Sequence, residues 1–289
     1  MRDIRTEINR INEVVSFPPV VAEILQTMTN QNVATKKITQ LIESDQALTA
    51  KILHIANSPF YGLSTNINSI GNALTMLGLD EIGHLLLTCQ MKARLASLNS
   101  DQNETLWKLW KHSVVTASIS RLIADRFRFP TEGKEYTAGL LHDMGKLVVI
   151  QYFPKEYAMV ESLIQDLSIT DIDAEMQTLA ISHTEIGYQL GQKWRLPKEY
   201  LDVMQYHHSV RMSQNNMVLT SIVRFADLLG ELWGDGVGEQ SEELVFADQE
   251  CVRVLGETEP EFVKVPIEQL IDELFGAFEK SGDVVEILS

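Results

Sequence analysis

Apolar residues recur at spacings of three and four along almost the whole chain, and strict alternation over the length of a strand is scarce. A period near 3.6 gathers side chains on one face of a helix, so the pattern predicts an all-α fold. Pro18-Pro19 opens a helix through Val20, Ile24, Leu25 and Met28, because proline suits the first helical position, and Thr35 or Thr39 begins another that ends near Asp45. Ala47–Ala56 reads as a buried helix stopped by Asn57-Ser-Pro-Phe-Tyr-Gly62, where Pro59 lacks an N–H and Gly62 loses much chain entropy on ordering. Ser69 to Leu77 ends at Gly78, and a long helix follows through Ile82, Leu86 and Met91.

Ser97-Leu-Asn-Ser-Asp-Gln-Asn-Glu104 concentrates turn formers and helix caps, which places a domain boundary near residue 100. Beyond it the spacing predicts helices at about Thr105–Phe127, Glu132–Ile150, Lys155–Leu167, Ile172–Ile181, Glu185–Trp194, Lys198–His208 and Met217–Trp233. Gly234-Asp-Gly-Val-Gly238 reads as a hinge before two acidic amphipathic helices. The expected organisation is an N-terminal helical bundle over 1–100, a second helical bundle over 101–235 and an acidic helical extension over 236–289.

With 289 residues, 45% of them hydrophobic, the chain can bury substantial cores. Its formal charge is −16, so no general field attracts a phosphate backbone, and sequence-independent nucleic-acid binding is disfavoured. The acid is uneven: residues 1–100 hold eight Lys/Arg and eight Asp/Glu, residues 240–289 three and thirteen. The acids in Met1-Arg-Asp-Ile-Arg-Thr-Glu interrupt the apolar stretch that an export signal needs, so none is expected, and runs such as Leu85-Leu-Leu and Leu147-Val-Val-Ile fall far short of the ~20 apolar residues of a bilayer span. A cytoplasmic protein without membrane association is expected. Cys89 and Cys251, outside any CxxC, read as two buried thiols.

Five of the seven histidines, His112, His142, His183, His207 and His208, lie in the second region, and Asp143 follows His142 directly. Imidazole and carboxylate suit a first-row divalent metal, and helices of a bundle can aim such side chains into one interior cluster. His142 and Asp143 sit in the apolar stretch Leu140-Leu-His-Asp-Met-Gly-Lys-Leu147, where burial costs several kcal/mol unless they are paired or bound to metal, and Gly145 leaves room for a close approach. Asp227, within Phe225-Ala-Asp-Leu-Leu-Gly230, poses the same problem; Arg224 or a histidine is its expected partner. His54 and His84, on apolar helices of the first region, read as core residues.

Leu140-Leu-His-Asp-Met-Gly-Lys resembles the signature of the HD superfamily of metal-dependent phosphohydrolases, and the first hundred residues resemble its HDOD subgroup. The HDOD-like features are Phe17-Pro-Pro-Val-Val, Ile42-Glu-Ser-Asp-Gln-Ala-Leu-Thr-Ala-Lys-Ile-Leu53, Ala56-Asn-Ser-Pro-Phe-Tyr-Gly62 and Ser69-Ile-Gly-Asn-Ala-Leu. Trp110-Lys-His-Ser, Ser182-His-Thr-Glu-Ile-Gly187, Trp194-Arg-Leu-Pro197 and Tyr206-His-His208 extend the pattern, so the likeness covers roughly residues 10–235. It implies an HDOD architecture, an N-terminal helical bundle followed by an HD-like helical bundle. The metal set H…HD…D would be His112, His142, Asp143 and Asp227. In the related HD-GYP enzymes a second metal is held by three more histidines, with the HD aspartate bridging; those positions resemble His183, His207 and His208. The implied cofactor is one or two divalent ions of Fe, Mn, Zn or Ni, with Asp143 and Lys146 as the catalytic pair and Lys146 on substrate phosphate.

Two departures narrow this. Lys108 stands where trinuclear HD-GYP sites have a glutamate, which argues against a third metal, and Ser209-Val-Arg-Met-Ser213 replaces the Gly-Tyr-Pro segment, which argues against cyclic di-GMP cleavage. Three readings stay open: a bacterial signalling module whose HD-like half binds metal or a small phosphorylated ligand while the HDOD region and acidic tail contact protein partners, an active metal-dependent phosphohydrolase, and a metal-free adaptor.

Overall fold

The computed structural model describes residues 23–24, 31–58, 61, 63, 65–97, 103–234, 246 and 249–280. Every regular element among them is helical, in accord with the period of the sequence. The chain divides into two compact units, one of the described residues within Phe17–Asn99 and one of those within Ser100–Phe278. Of the helix expected from Pro18 only residues 23–24 are described, and they are helical; most of the Gly234–Gly238 hinge lies outside the described residues.

In the first unit α1 (Gln31–Glu43), α2 (Gln46–Ala56), α3 (Ile70–Leu77) and α4 (Leu79–Ala96) pack around Ile38, Ile42, Ile52, Ala73, Ile82 and Leu86, all fully buried. Full burial of an isoleucine or leucine side chain stabilises by about 1.5–3 kcal/mol. Asp45 starts α2 by accepting the main-chain N–H groups of Ala47 and Leu48. Asn57 ends it, donating through Nδ2 to Leu53 O and Ile67 O while its Oδ1 accepts Ile67 N–H at 2.7 Å. That side chain joins the end of α2 to the segment before α3. His84 is buried as expected, but His54 is exposed: it lies between the inward positions Ile52 and Ile55 on the outer face of α2.

The second unit is built on α5 (Asn103–Phe127), against which α6 (Glu135–Leu141) and α12 (Met217–Leu232) pack. Gly139 permits the α5–α6 approach, since a Cβ there would stand 2.7 Å from Ala117 Cα. The single helix expected over Glu132–Ile150 is instead two, α6 and α7 (Met144–Tyr152), broken at His142 and Asp143. The break has a cause in packing: α6 follows α5, whereas α7 lies on α10 (His183–Lys193). Between these come α8 (Pro154–Leu167), with proline in its first turn, and α9 (Asp171–Leu179), capped by Thr170. α11 (Lys198–Tyr206) packs on α10. α13 (Glu250–Thr258) lies on α12, and α14 (Ile267–Lys280) follows; Phe246 and Phe262 join Phe225 and Phe127 in an aromatic cluster with ring centroids 5.0–6.0 Å apart. No described helix is long and apolar enough to cross a membrane. Cys89 and Cys251 are buried free thiols.

Candidate metal centre

The helix break is what lets the neighbours His142 and Asp143 point into one site. On a continuous helix adjacent side chains diverge by about 100°. Asp143 leaves the helical region, at φ −99° and ψ 13°, and its carbonyl accepts Lys146 N–H at 2.9 Å to start α7. His142 stays aligned with α6 because its Nδ1 donates to Gly139 O at 2.7 Å. Gly145 is required here: a Cβ would stand 2.7 Å from His183 C and 2.8 Å from Gly187 N, and closer still to His183 O. The glycine of the His-Asp motif thus lets the start of α7 lie directly on the start of α10.

All seven residues expected as ligands come together. His112, from α5, has its Nε2 3.0 Å from Asp227 Oδ1 and 3.3 Å from His142 Nε2. Asp143 Oδ2 lies 3.5 Å from His142 Nε2 and 3.7 Å from His112 Nε2. The other oxygen, Oδ1, lies 3.3 Å from His183 Nε2 and 3.6 Å from His207 Nε2. His208 completes this second half, where the three histidines each have a donor nitrogen within 4.8 Å of the others. Asp143 therefore stands between two clusters with one oxygen toward each. Lys108, by contrast, is exposed and paired with Glu104 at 3.0 Å.

The protons are assigned by what the outer ring nitrogens touch. His142 Nδ1 faces Gly139 O, His207 Nδ1 faces Val203 O at 2.9 Å, and His183 Nδ1 faces the Glu175 carboxylate at 2.9 Å. These partners only accept, so each Nδ1 donates, and in the neutral ring each Nε2 carries a lone pair. His183 Nε2 and His207 Nε2 are 3.3 Å apart, and the buried Asp143 Oδ1 beside them has no hydrogen-bond donor among the described residues. Lone pairs that converge without a proton are the arrangement a divalent cation completes, and imidazole with carboxylate is the donor set of first-row metals. The residues present thus fit such an ion.

Charge points the same way. Asp143, Asp171, Glu175 and Asp227 are buried carboxylates, and Lys146 and Arg224 are the cations set against them. Burial alone would raise the Asp143 carboxyl, but His142, Lys146 and His183 outweigh it and hold it well below the usual carboxylate range. Burial opposes charge on His142 and on His183 too; Asp143 and Asp227 in one case, and Glu175 and Asp143 in the other, still lift them above the ordinary histidine value. His207, deprived of water, falls to about 4. Lys146 Nζ is 2.8 Å from Asp143 Oδ2 and 3.0 Å from Asp171 Oδ2, so it is paired inward with two carboxylates. Asp227 has both partners expected of it, Arg224 at 2.7 Å and His112.

Asp171 and Glu175 went unnoticed in the sequence. Asp-Ile-Asp-Ala-Glu at a helix start is what a solvated, dipole-matched first turn also looks like. The only signal was their spacing of four, which puts both on one helix face. Asp202, in the middle of α11, was missed as well; it accepts from Ser213 Oγ, Gln214 N, Asn215 N and Asn215 Nδ2 at 2.6–2.8 Å and holds the turn after His208.

Comparison with known proteins agrees with this architecture. A solved HDOD domain protein from Geobacter sulfurreducens is 29% identical, with 99% of this chain and 97% of that one covered and a TM-score of 0.86. A candidate phosphohydrolase from Shewanella amazonensis (18% identical, 99% and 98% covered, TM-score 0.71) and a candidate signal transduction protein from Marinobacter aquaeolei (22%, 100% and 62%, 0.75) share the fold. The chain spans 42% and 37% of the lengths of the curated relatives it matches. The HDOD domain model matches residues 14–210, more than half of the chain, and the protein belongs to the HDOD family.

Proposed function

We propose that the protein is a regulatory HDOD module of bacterial signal transduction whose HD-type centre binds one or two first-row divalent metal ions and a small phosphorylated ligand, and which acts on protein partners. One observation carries the reading: Asp143 presents one oxygen to each of two histidine clusters. His112, His142 and Asp227 with Asp143 Oδ2 would hold one ion, and His183, His207 and His208 with Asp143 Oδ1 the other. A bound ion would supply Lewis-acid charge for a phosphoryl oxygen. Regulation is favoured over turnover by burial: His142, His183 and His207 are 0% exposed. Lys146, which the family likeness places on phosphate, is engaged by Asp143 and Asp171, and Asp202 clamps the segment that stands where cyclic-dinucleotide enzymes have their recognition loop.

The second reading, a metal-dependent phosphohydrolase acting on a nucleotide or another phosphoester, is favoured by the completeness of the ligand set and by Arg224, 13% exposed beside Asp227. Elemental mass spectrometry of untagged protein purified without chelator tests both. The expected content is close to two ions per wild-type chain, none in Asp143→Ala and about one in His183→Ala. Equal, complete loss in the two variants would remove the two-ion assignment. Phosphoester turnover by the metal-loaded wild type, abolished in Asp143→Ala, would favour the hydrolase; its absence, with a captured partner that the metal-free chain fails to bind, would favour regulation.

A further inference from the structure

We infer that Glu175 is the positioning residue for the second half of the metal centre: it fixes the proton of His183 on Nδ1 and so leaves Nε2 able to take a metal. The inference rests on the reading of the centre given above. Glu175 lies on α9, one turn after Asp171, and is 2% exposed. Its Oε2 accepts the main-chain N–H of His183 at 2.7 Å, and Oε1 and Oε2 lie 3.0 and 2.9 Å from Nδ1 of the same residue. One carboxylate thus grips both the backbone and the ring of a single histidine.

The two contacts do different work. His183 is the first residue of α10, where main-chain N–H groups lack partners within the helix, so the 2.7 Å bond anchors the helix start. A cap needs one oxygen, and Ser182 already serves as N-cap by accepting Glu185 N–H. The grip on the ring is the additional feature. It orients Nε2 toward His207 Nε2 and Asp143 Oδ1, each 3.3 Å away, and a carboxylate behind an imidazole raises its basicity toward metal. His142 and His207 are oriented by main-chain carbonyls, which no substitution removes; His183 depends on a side chain.

Glu175→Gln separates the two roles. An amide oxygen in the place of Oε2 still caps His183 N–H and stays 2.9 Å from Nδ1, but the NH2 in the place of Oε1 sets a second donor 3.0 Å from the Nδ1 proton, and the carboxylate charge behind the ring is lost. Zinc binding would be followed by chelator competition and by elemental mass spectrometry, and the ring protons by long-range 1H–15N spectra of the zinc-loaded chain. The expected result is two ions in wild type and one in Glu175→Gln, with second-site affinity lower by roughly tenfold to a hundredfold. First-site affinity would stay at the wild-type value, as would the unfolding midpoint of the metal-free chain at a pH where His183 is neutral. Glu175→Ala would lose the cap as well and lower that midpoint. Wild-type spectra should place the His183 proton on Nδ1, and a proton on Nε2 would overturn the inference even if the variant failed to fold. Two ions held by Glu175→Gln with wild-type affinities, equal loss of both, or a single wild-type ion that the variant leaves unaffected would also overturn it. Those outcomes leave the reading of the centre standing, whereas a wild-type chain that binds no ion removes that reading and this inference together.

Discussion

His142 and His183 must each give up a proton before their Nε2 atoms can hold a metal, and both sit above the ordinary histidine value. In the metal-free chain the sign follows from linkage. A raised folded pKa contributes stability that is complete below about 6.5 and is lost as pH rises through the folded value. His207, lowered to about 4, and His208, also lowered, act oppositely, and their contribution is lost as pH falls from about 6.5. These four histidines by themselves place the maximum of the metal-free urea midpoint near pH 6.5, and buried Glu231, raised well above the carboxylate range, draws it lower; midpoints of the loaded chain should keep rising beyond that maximum, because protons no longer compete with metal. Gly145 is the other decisive residue. Gly145→Ala forces a Cβ against the backbone of His183 and Gly187 and is expected to cost about 3 kcal/mol in denaturant unfolding, with loss of metal. The spacing of apolar residues does not reveal this constraint; the motif does, by its lack of a side chain, and only the packing of α7 on α10 explains it.

At the scale of elements, the break between α6 and α7 is the feature that the helical period could not report. Glu135 to Tyr152 keeps an apolar period through the break, because α6 and α7 are both buried, so a pattern that measures burial reads one helix. Two different neighbours, α5 and α10, decide otherwise. The turn after α11 is set in the same non-local way. Asp202 takes four hydrogen bonds from Ser213, Gln214 and Asn215, and those donors hold its carboxyl below the usual range against the effect of burial. Asp202→Ala should destabilise by about 2–3 kcal/mol and free the amides of Gln214 and Asn215 to exchange. Wild-type protection of those two amides in the variant would show the clamp to be idle.

Across the whole molecule, the centre draws its residues from α5, α7, α10 and α12 and from the ends of α6 and α11, so a metal ion would tie the unit within Ser100–Phe278 together and leave that within Phe17–Asn99 untouched. Binding to the folded state alone at a hundred times the dissociation constant stabilises by about 2.7 kcal/mol. Chelation should accordingly speed hydrogen exchange in α5, α7, α10 and α12 and leave α2 and α4 unchanged. Uniform loss of protection, or none, would contradict a centre confined to the second unit. The net charge of −16 also belongs to this scale: it sets the long-range field, while the field inside the centre is set by a few buried groups, Lys146 and Arg224 among them.

The sequence by itself determined the helical class, most helix positions, the family likeness and the seven side chains that meet in the centre. Each of these is written locally, in a period of 3.6, a cap such as Asp45, or a motif such as His142-Asp143. Tertiary structure alone decided the bend at Asp143, the two-sided placement of its carboxylate, the inward pairing of Lys146 and the roles of Asp171, Glu175 and Asp202. An acid on a helix reads the same in sequence whether it faces water or a buried imidazole. Only the turn that brings the start of α10 back onto α9 sets Glu175 against His183 and makes it the group that holds that histidine's proton.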